Sequence, residues 1–101
     1  MTNEADMEEL AFAIGKNIRE KRRANGLPQD RFALVAGIDR SYMGRIERGE
    51  VSITIEKLYR IAAALQCEPT TLLPRMSSVS LPAPQKSNKD GRNQGREPFR
   101  D

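Results

Sequence analysis

The sequence contains no histidine and no tryptophan, and its 101 residues include a single cysteine, Cys67. One cysteine cannot form an intramolecular disulfide, and the side chains that most often bind transition metals are almost missing. No apolar stretch approaches the roughly 20 residues needed to cross a bilayer. The acidic N-terminus also lacks the form of a signal peptide. These absences predict a cytoplasmic protein that needs no metal and no cofactor.

The patterns typical of common enzymes are missing as well. The sequence has no glycine-rich phosphate loop followed by Lys-Ser or Lys-Thr, and it has no cluster of candidate metal ligands. The adjacent carboxylates of Glu8 and Glu9 belong to an acidic N-terminal segment and not to a predicted pocket. We therefore do not expect an enzyme.

Charge is distributed unevenly along the chain. Residues 1–9 carry four acidic and no basic residues, residues 10–75 carry twelve basic and seven acidic ones, and residues 76–101 carry five basic and three acidic ones. A basic central section is compatible with a polyanionic partner, but many unrelated soluble domains are equally basic. Charge alone leaves both nucleic-acid binding and an ordinary soluble domain open.

Apolar residues recur at helical spacing from about residue 7 to residue 73, and no segment alternates as a strand does. The first predicted helix, about 7–24, starts at the capping pattern of Asp6 and Glu9 and ends before Gly26. Two short helices follow on either side of Gly37, and Asp39 caps the second of them.

The second half of this section predicts two further helices. Thr54 caps a fourth helix, and Pro69 opens a short fifth one that ends near residue 73. The apolar face of the fourth helix comprises Ile55, Leu58, Ile61, Ala62 and Leu65. The sequence therefore predicts an all-α domain.

The chain divides into three sections. Residues 1–9 form an acidic lead that runs into the first helix, residues 10–75 form the helical domain, and residues 76–101 are predicted to be a disordered tail. The tail is rich in proline, glycine and polar residues, and its few apolar residues cannot build a core.

Residues 29–48 contain two predicted short helices joined by a tight turn, and this pair of helices is the candidate for the functional site. Ala33 is small where two helices cross, and Gly37 permits the positive φ angle that a tight turn between them requires. One face of the second helix in this pair is polar and comprises Arg40, Ser41, Gly44, Arg45 and Arg48. Arginine forks and serine hydroxyls can read base edges in the major groove, although a basic face is also common on helices that merely contact solvent.

Several blocks at fixed spacing resemble the Cro/C1-type (Xre) helix-turn-helix family. The blocks are Ile14-Gly15-Lys16-Asn17-Ile18-Arg19, Gly26-Leu27-Pro28-Gln29, Ser41-Tyr42-Met43-Gly44-Arg45-Ile46-Glu47-Arg48-Gly49 and Ile53-Thr54-Ile55, followed by apolar residues up to Leu65. The resemblance covers about residues 10–73 and implies a compact five-helix, lambda-repressor-like DNA-binding domain.

The resemblance also implies a role for individual residues. Base reading falls to Arg40, Ser41, Gly44 and Arg45. Contacts with DNA phosphates fall to Gln29, Tyr42 and Arg48. Arg22 and Glu47 match a pair of residues that form a largely buried, structural ion pair between the first and third helices.

The implied function is a sequence-specific regulator of transcription that binds double-stranded DNA. Such a protein is expected to act as a homodimer on an inverted-repeat operator, in a bacterial or phage setting and associated with the nucleoid. The predicted dimer contacts are Pro69, Leu72 and Leu73. The alternatives are a DNA-binding antitoxin whose tail binds a partner protein, or a restriction-modification controller.

Overall fold

The computed structural model describes residues 8–81, and residues 1–7 and 82–101 lie outside that range. Within it, four α-helices are followed by a short 3₁₀ helix. They are α1 (Leu10–Ala24), α2 (Gln29–Ala36), α3 (Arg40–Glu47), α4 (Ile55–Leu65) and the 3₁₀ helix Pro69–Leu72. The predicted all-α, five-helix architecture is confirmed, with the fifth helix wound as 3₁₀.

The turn between α2 and α3 forms as its residues predict. Gly37 ends α2 with a φ of 70°, in the left-handed region that glycine adopts at low cost. Asp39 then caps α3, because its carboxylate accepts a hydrogen bond of 3.0 Å from the backbone N–H of Tyr42. Thr54 caps α4 in the same way through Lys57, at 3.1 Å. These caps set the start of both helices.

The core lies where α3 packs against α1 and α2, and where α4 packs against α2 and the 3₁₀ helix. Its largest fully buried side chains are Phe32, Ile18, Met43, Ile46, Ile61, Leu65 and Leu72. Ile55, which the sequence placed on the inner face of α4, is instead 70% exposed. It is the first residue of α4, and its side chain lies beyond the packed part of the helix.

α1 and α3 approach each other closely at Gly15. A Cβ atom at this position would lie 2.7 Å from the carbonyl oxygen of Glu47 and closer still to that of Ile46. Both neighbours are backbone atoms, so they cannot move aside as a flexible side chain can. Gly15 therefore permits the helix contact that fixes which face of α3 points away from the core.

The two ends of the described chain differ from the sequence prediction. α1 begins at Leu10 and not near residue 7, because Glu8–Glu9 (β1) is extended and pairs in parallel with Val79–Ser80 (β2). Residues 76–80, assigned to the disordered tail, form a 3₁₀ turn at Met76–Ser78 and then β2. Val79 is buried, and the burial of its apolar side chain explains why residues 76–80 pack against the domain. The rest of the predicted tail, residues 82–101, and the predicted cap Asp6 lie outside the described residues.

Among residues 8–81, no helix is both long enough and apolar enough to span a bilayer.

Candidate nucleic-acid interface

α3 has one buried side and one exposed side. Met43, Ile46 and Glu47 are buried, whereas Arg40, Ser41 and Arg45 are exposed. The N-terminus of α2 places Gln29 beside this exposed side. We call the resulting patch the recognition surface; it comprises Gln29, Arg40, Ser41, Gly44, Arg45 and Arg48.

A broad, open depression of about 490 Å³ lies in the recognition surface. Its lining residues are Gln29, Asp39, Arg40, Ser41, Gly44 and Arg48. Every side chain in this set is polar or charged, which suits hydrogen bonding to a polar ligand and not the burial of an apolar one.

Gly44 forms the floor of the depression and is itself buried. A Cβ atom here would lie 3.1 Å from Nη1 of Arg48 and 3.6 Å from Oε1 of Gln29. The missing side chain therefore makes room for the guanidinium of Arg48, which lies across the helix at this point.

The structure brings Arg22 and Glu47 together as a bidentate ion pair. Nε of Arg22 donates to Oε2 of Glu47 at 2.7 Å, and Nη2 donates to Oε1 at 2.9 Å. Nη1 donates to the backbone carbonyl of Leu27 at 2.9 Å. Only 2% of Glu47 is exposed, so its charge depends on these hydrogen bonds and not on water.

Gln29 connects this buried pair to the recognition surface. Its Nε2 donates to Oε1 of Glu47 at 3.0 Å. The same amide therefore has its nitrogen held by the core, while its Oε1 faces the space above Gly44. The buried ion pair thus fixes the orientation of a side chain that lines the depression.

A second Arg–Glu pair lies on the outside of the domain. Nε of Arg48 donates to Oε2 of Glu50 at 2.8 Å, and Nη2 donates to Oε1 at 3.3 Å. Arg45 lies near the same carboxylate, with its Nε 4.0 Å from Oε1 of Glu50. The hydrogen bond from Arg48 holds the pKa of the Glu50 carboxyl below its usual value, and the same bond raises the pKa of the Arg48 guanidinium.

Sequence reasoning missed Glu50. Glu50 follows the end of the predicted third helix, and the residue roles implied by the family resemblance stop at Arg48. The chain reverses between Arg48 and Glu50 at Gly49, which has a φ of 74°. The signal in the sequence was the Arg-Gly-Glu segment at the end of a basic helix, because a glycine turn can bring the two charged side chains together.

Tyr42 lies at the edge of the recognition surface and is half-buried. Nζ of Lys57, in the first turn of α4, lies 5.6 Å from the centre of its ring. The two side chains form a cation–π contact, which places a positive charge beside the tyrosine.

The three predicted dimer contacts differ in their exposure. Leu73 is 42% exposed and Pro69 is half-buried. Leu72 is 0% exposed, because the 3₁₀ helix turns it into the core of its own protomer. The prediction that Leu72 offers an apolar contact to a partner is therefore wrong.

Residues 18–72 match the family model for the helix-turn-helix domain HTH_3. The chain is also similar to the control protein C.SmaI from Serratia marcescens, with 34% identity over 70 residues, 69% of this chain and 80% of the relative.

Solved structures are similar to this fold. The restriction-modification controller protein C.AhdI from Aeromonas hydrophila has a TM-score of 0.61 and 38% identity, over 62% of this chain and 96% of that one. The P22 c2 repressor, solved in complex with a synthetic operator, has a TM-score of 0.56 and 30% identity, over 59% of this chain and 91% of that one. These similarities confirm the lambda-repressor-like fold.

Proposed function

This chain belongs to the Cro/C1-type helix-turn-helix family of DNA-binding transcription regulators, and we propose that it reads one operator sequence as a homodimer. The observation that carries this proposal is the two-sided construction of α3. Its inner side is fixed by Met43, Ile46 and the Glu47 ion pair, so its outer side is presented in one orientation.

Base reading is assigned to the exposed residues of α3. The guanidinium groups of Arg40 and Arg45 suit the O6 and N7 acceptors of guanine, and the hydroxyl of Ser41 can donate or accept. Gly44 adds no side chain between them, so only the movable guanidinium of Arg48 separates this part of the helix from the floor of the major groove.

Backbone contacts are assigned to Gln29, Tyr42 and Arg48. The side chains of Tyr42 and Arg48 carry hydrogen-bond donors that suit a phosphate oxygen. Gln29 is the first residue of α2 and offers its backbone N–H, because the side-chain nitrogen is held by Glu47. Lys57 adds a positive charge beside Tyr42, and we assign it to the same phosphate-facing edge.

Selection of bound sequences from a random duplex pool tests the proposal. A homodimer that presents two copies of α3 should enrich an inverted repeat whose half-sites are about one helical turn apart, roughly 34 Å. Failure to enrich any sequence, even at low salt where attraction to the backbone is strongest, would show that the protein does not read DNA.

The dimer surface is proposed to include Leu73 and Pro69, which follow α4. Leu73 is a partly exposed apolar side chain directly after the 3₁₀ helix, and it is therefore available to a second copy of the chain. Leu73→Glu should shift the protein toward the monomer in sedimentation, because a carboxylate would be placed against the partner. Leu34→Glu is the matched control, since Leu34 is also exposed but lies on α2. An unchanged sedimentation profile for Leu73→Glu would move the dimer surface elsewhere.

The specific biological role favoured by the relatives is that of a restriction-modification controller. C.SmaI and C.AhdI are both named as control or controller proteins, and this chain spans 80% and 96% of their lengths. If the role is shared, the enriched sequence should lie upstream of genes for a restriction endonuclease and its methyltransferase. An operator found only beside other genes would favour a different regulatory role.

A further inference from the structure

Glu50 is the one acidic side chain that pairs with arginines of the recognition surface in residues 8–81. Its carboxylate accepts two hydrogen bonds from Arg48, at 2.8 and 3.3 Å, and it lies 4.0 Å from Arg45. Arg48 is assigned to a phosphate and Arg45 to a base. The carboxylate of Glu50 therefore occupies the position, relative to Arg48, that a phosphate oxygen would take on DNA.

We propose that Glu50 is an internal competitor of DNA phosphate for Arg48, and that it sets the absolute affinity for DNA and its salt dependence. This inference rests on the proposed function, because it requires that Arg48 contacts the backbone. It assigns a role to a residue outside the base-reading set.

The Arg48–Glu50 pair is exposed to solvent, which allows Arg48 to exchange the carboxylate for a DNA phosphate. The side chains of Arg48 and Glu50 are 56% and 48% exposed, so water solvates either group once the pair separates. The Arg22–Glu47 pair is built with the same geometry but is buried, and it cannot exchange in this way. Arg48 can therefore transfer from a carboxylate to a phosphate, which is also an oxygen anion that accepts a bidentate guanidinium.

The exchange of Glu50 for a DNA phosphate costs free energy, and this cost lowers the affinity of the protein for DNA. Each protomer that binds DNA must give up the Arg48–Glu50 pair, and Glu50 then lies near a phosphate of like charge. Glu50→Gln removes both penalties while keeping the shape of the side chain. It should raise affinity by about two- to fivefold, the range found for exposed ion pairs.

The effect should be the same on the operator and on random duplex. Phosphates are present in both, and Arg45 lies 4.0 Å from Glu50, too far for a hydrogen bond, so the ratio of the two affinities should stay within about twofold. Glu50 thus tunes how tightly the protein binds DNA of any sequence and leaves the choice of sequence to Arg40, Ser41 and Arg45.

Salt dependence provides a second measurement. When a phosphate takes Arg48, the released carboxylate of Glu50 can take up a cation, which offsets part of the counterion release from DNA. In Glu50→Gln this uptake is lost. The slope of log affinity against log salt concentration should become steeper by up to about 1 per protomer.

The experiment measures binding of the full chain to the selected operator and to random duplex across a salt series. Glu56→Gln is the matched control, because Glu56 forms an exposed pair with Arg60 at 2.9 Å on α4 and removing it changes the net charge equally. Glu50→Gln should exceed this control on both duplexes. In an Arg48→Ala background, the gain from Glu50→Gln should fall to the level of the control.

Three results would overturn the inference. A loss of affinity in Glu50→Gln would mean that Glu50 orients Arg48 for DNA. An equal gain in the Arg48→Ala background would mean that Glu50 repels DNA directly and does not compete for Arg48. A gain no larger than that of Glu56→Gln would mean that only net charge matters. In each case operator binding by the unchanged protein would keep the proposed function standing, whereas no binding to either duplex would remove both.

Discussion

Two Arg–Glu pairs of almost equal geometry serve different purposes in this protein. The shortest N–O distance is 2.7 Å in Arg22–Glu47 and 2.8 Å in Arg48–Glu50. The side chains of the first pair are 11% and 2% exposed, and those of the second are 56% and 48% exposed. Distance therefore says little about the role of an ion pair, whereas burial separates a pair that fixes a helix from one that a ligand can replace.

The largest expected effect comes from breaking the buried pair. Glu47→Gln leaves Arg22 charged and buried without its counter-ion, and we expect the free energy of unfolding to fall by about 3–5 kcal/mol. Urea unfolding followed by circular dichroism measures this change. A loss below about 1 kcal/mol would show that the buried pair stabilises the fold no more than an exposed pair does, and burial would then not distinguish the two pairs.

The packing of the inner side of α3 is tested at Gly15. Gly15→Ala would force a Cβ atom against the carbonyl oxygens of Ile46 and Glu47, and we expect a loss of about 1–3 kcal/mol in the free energy of unfolding. Gly44→Ala is the matched control on α3, because its Cβ would meet the movable guanidinium of Arg48 at 3.1 Å. Up to about 1 kcal/mol of helix propensity favours alanine there. Equal losses at both glycines would mean that the inner side of α3 is no more tightly fixed than the outer side.

The outer side is tested at Arg45. We expect Arg45→Ala to weaken binding to the selected operator by about 1–3 kcal/mol and to relax the preference at one base pair. The free energy of unfolding should change by less than about 0.5 kcal/mol, since the side chain is exposed. An equal loss on every duplex, with base preference intact, would move Arg45 from base reading to phosphate contact.

The smallest expected effect is on stability at the exposed pair. Glu50→Gln should change the free energy of unfolding only slightly, because exposed pairs contribute little after solvation and side-chain entropy are included. Thermal unfolding at low and at high salt measures it. A larger loss, unaffected by salt, would show that the pair holds the turn after α3 and is not free to exchange.

The two sides of α3 also differ in how far the sequence could predict them. The periodicity of Met43 and Ile46, the turn glycine Gly37 and the cap Asp39 follow from local rules, and the structure contains each as expected. The approach of α1 to α3 at Gly15 depends on two backbones from distant parts of the chain, which no local pattern reveals.

The ends of the domain were predicted least well. The pairing of β1 with β2 joins segments about 70 residues apart, and each strand has only two residues, too few for an alternating pattern. Leu72 was placed on the surface because its sequence position follows the last long helix. A 3₁₀ turn, whose residues point in directions that α-helical spacing does not give, places it in the core instead.

The parallel direction of the β1–β2 pair has a consequence for the chain on either side of it. Glu8 lies opposite Val79 and Glu9 lies opposite Ser80, so both strands enter the pair at the same end. Whatever precedes Glu8 therefore starts from one end of the pair, and whatever follows Ser80 starts from the other. Removing Val79 and Ser80 would therefore leave Glu8–Glu9 without a pairing partner, so the segment that leads into α1 depends on a segment that follows the last helix of the domain.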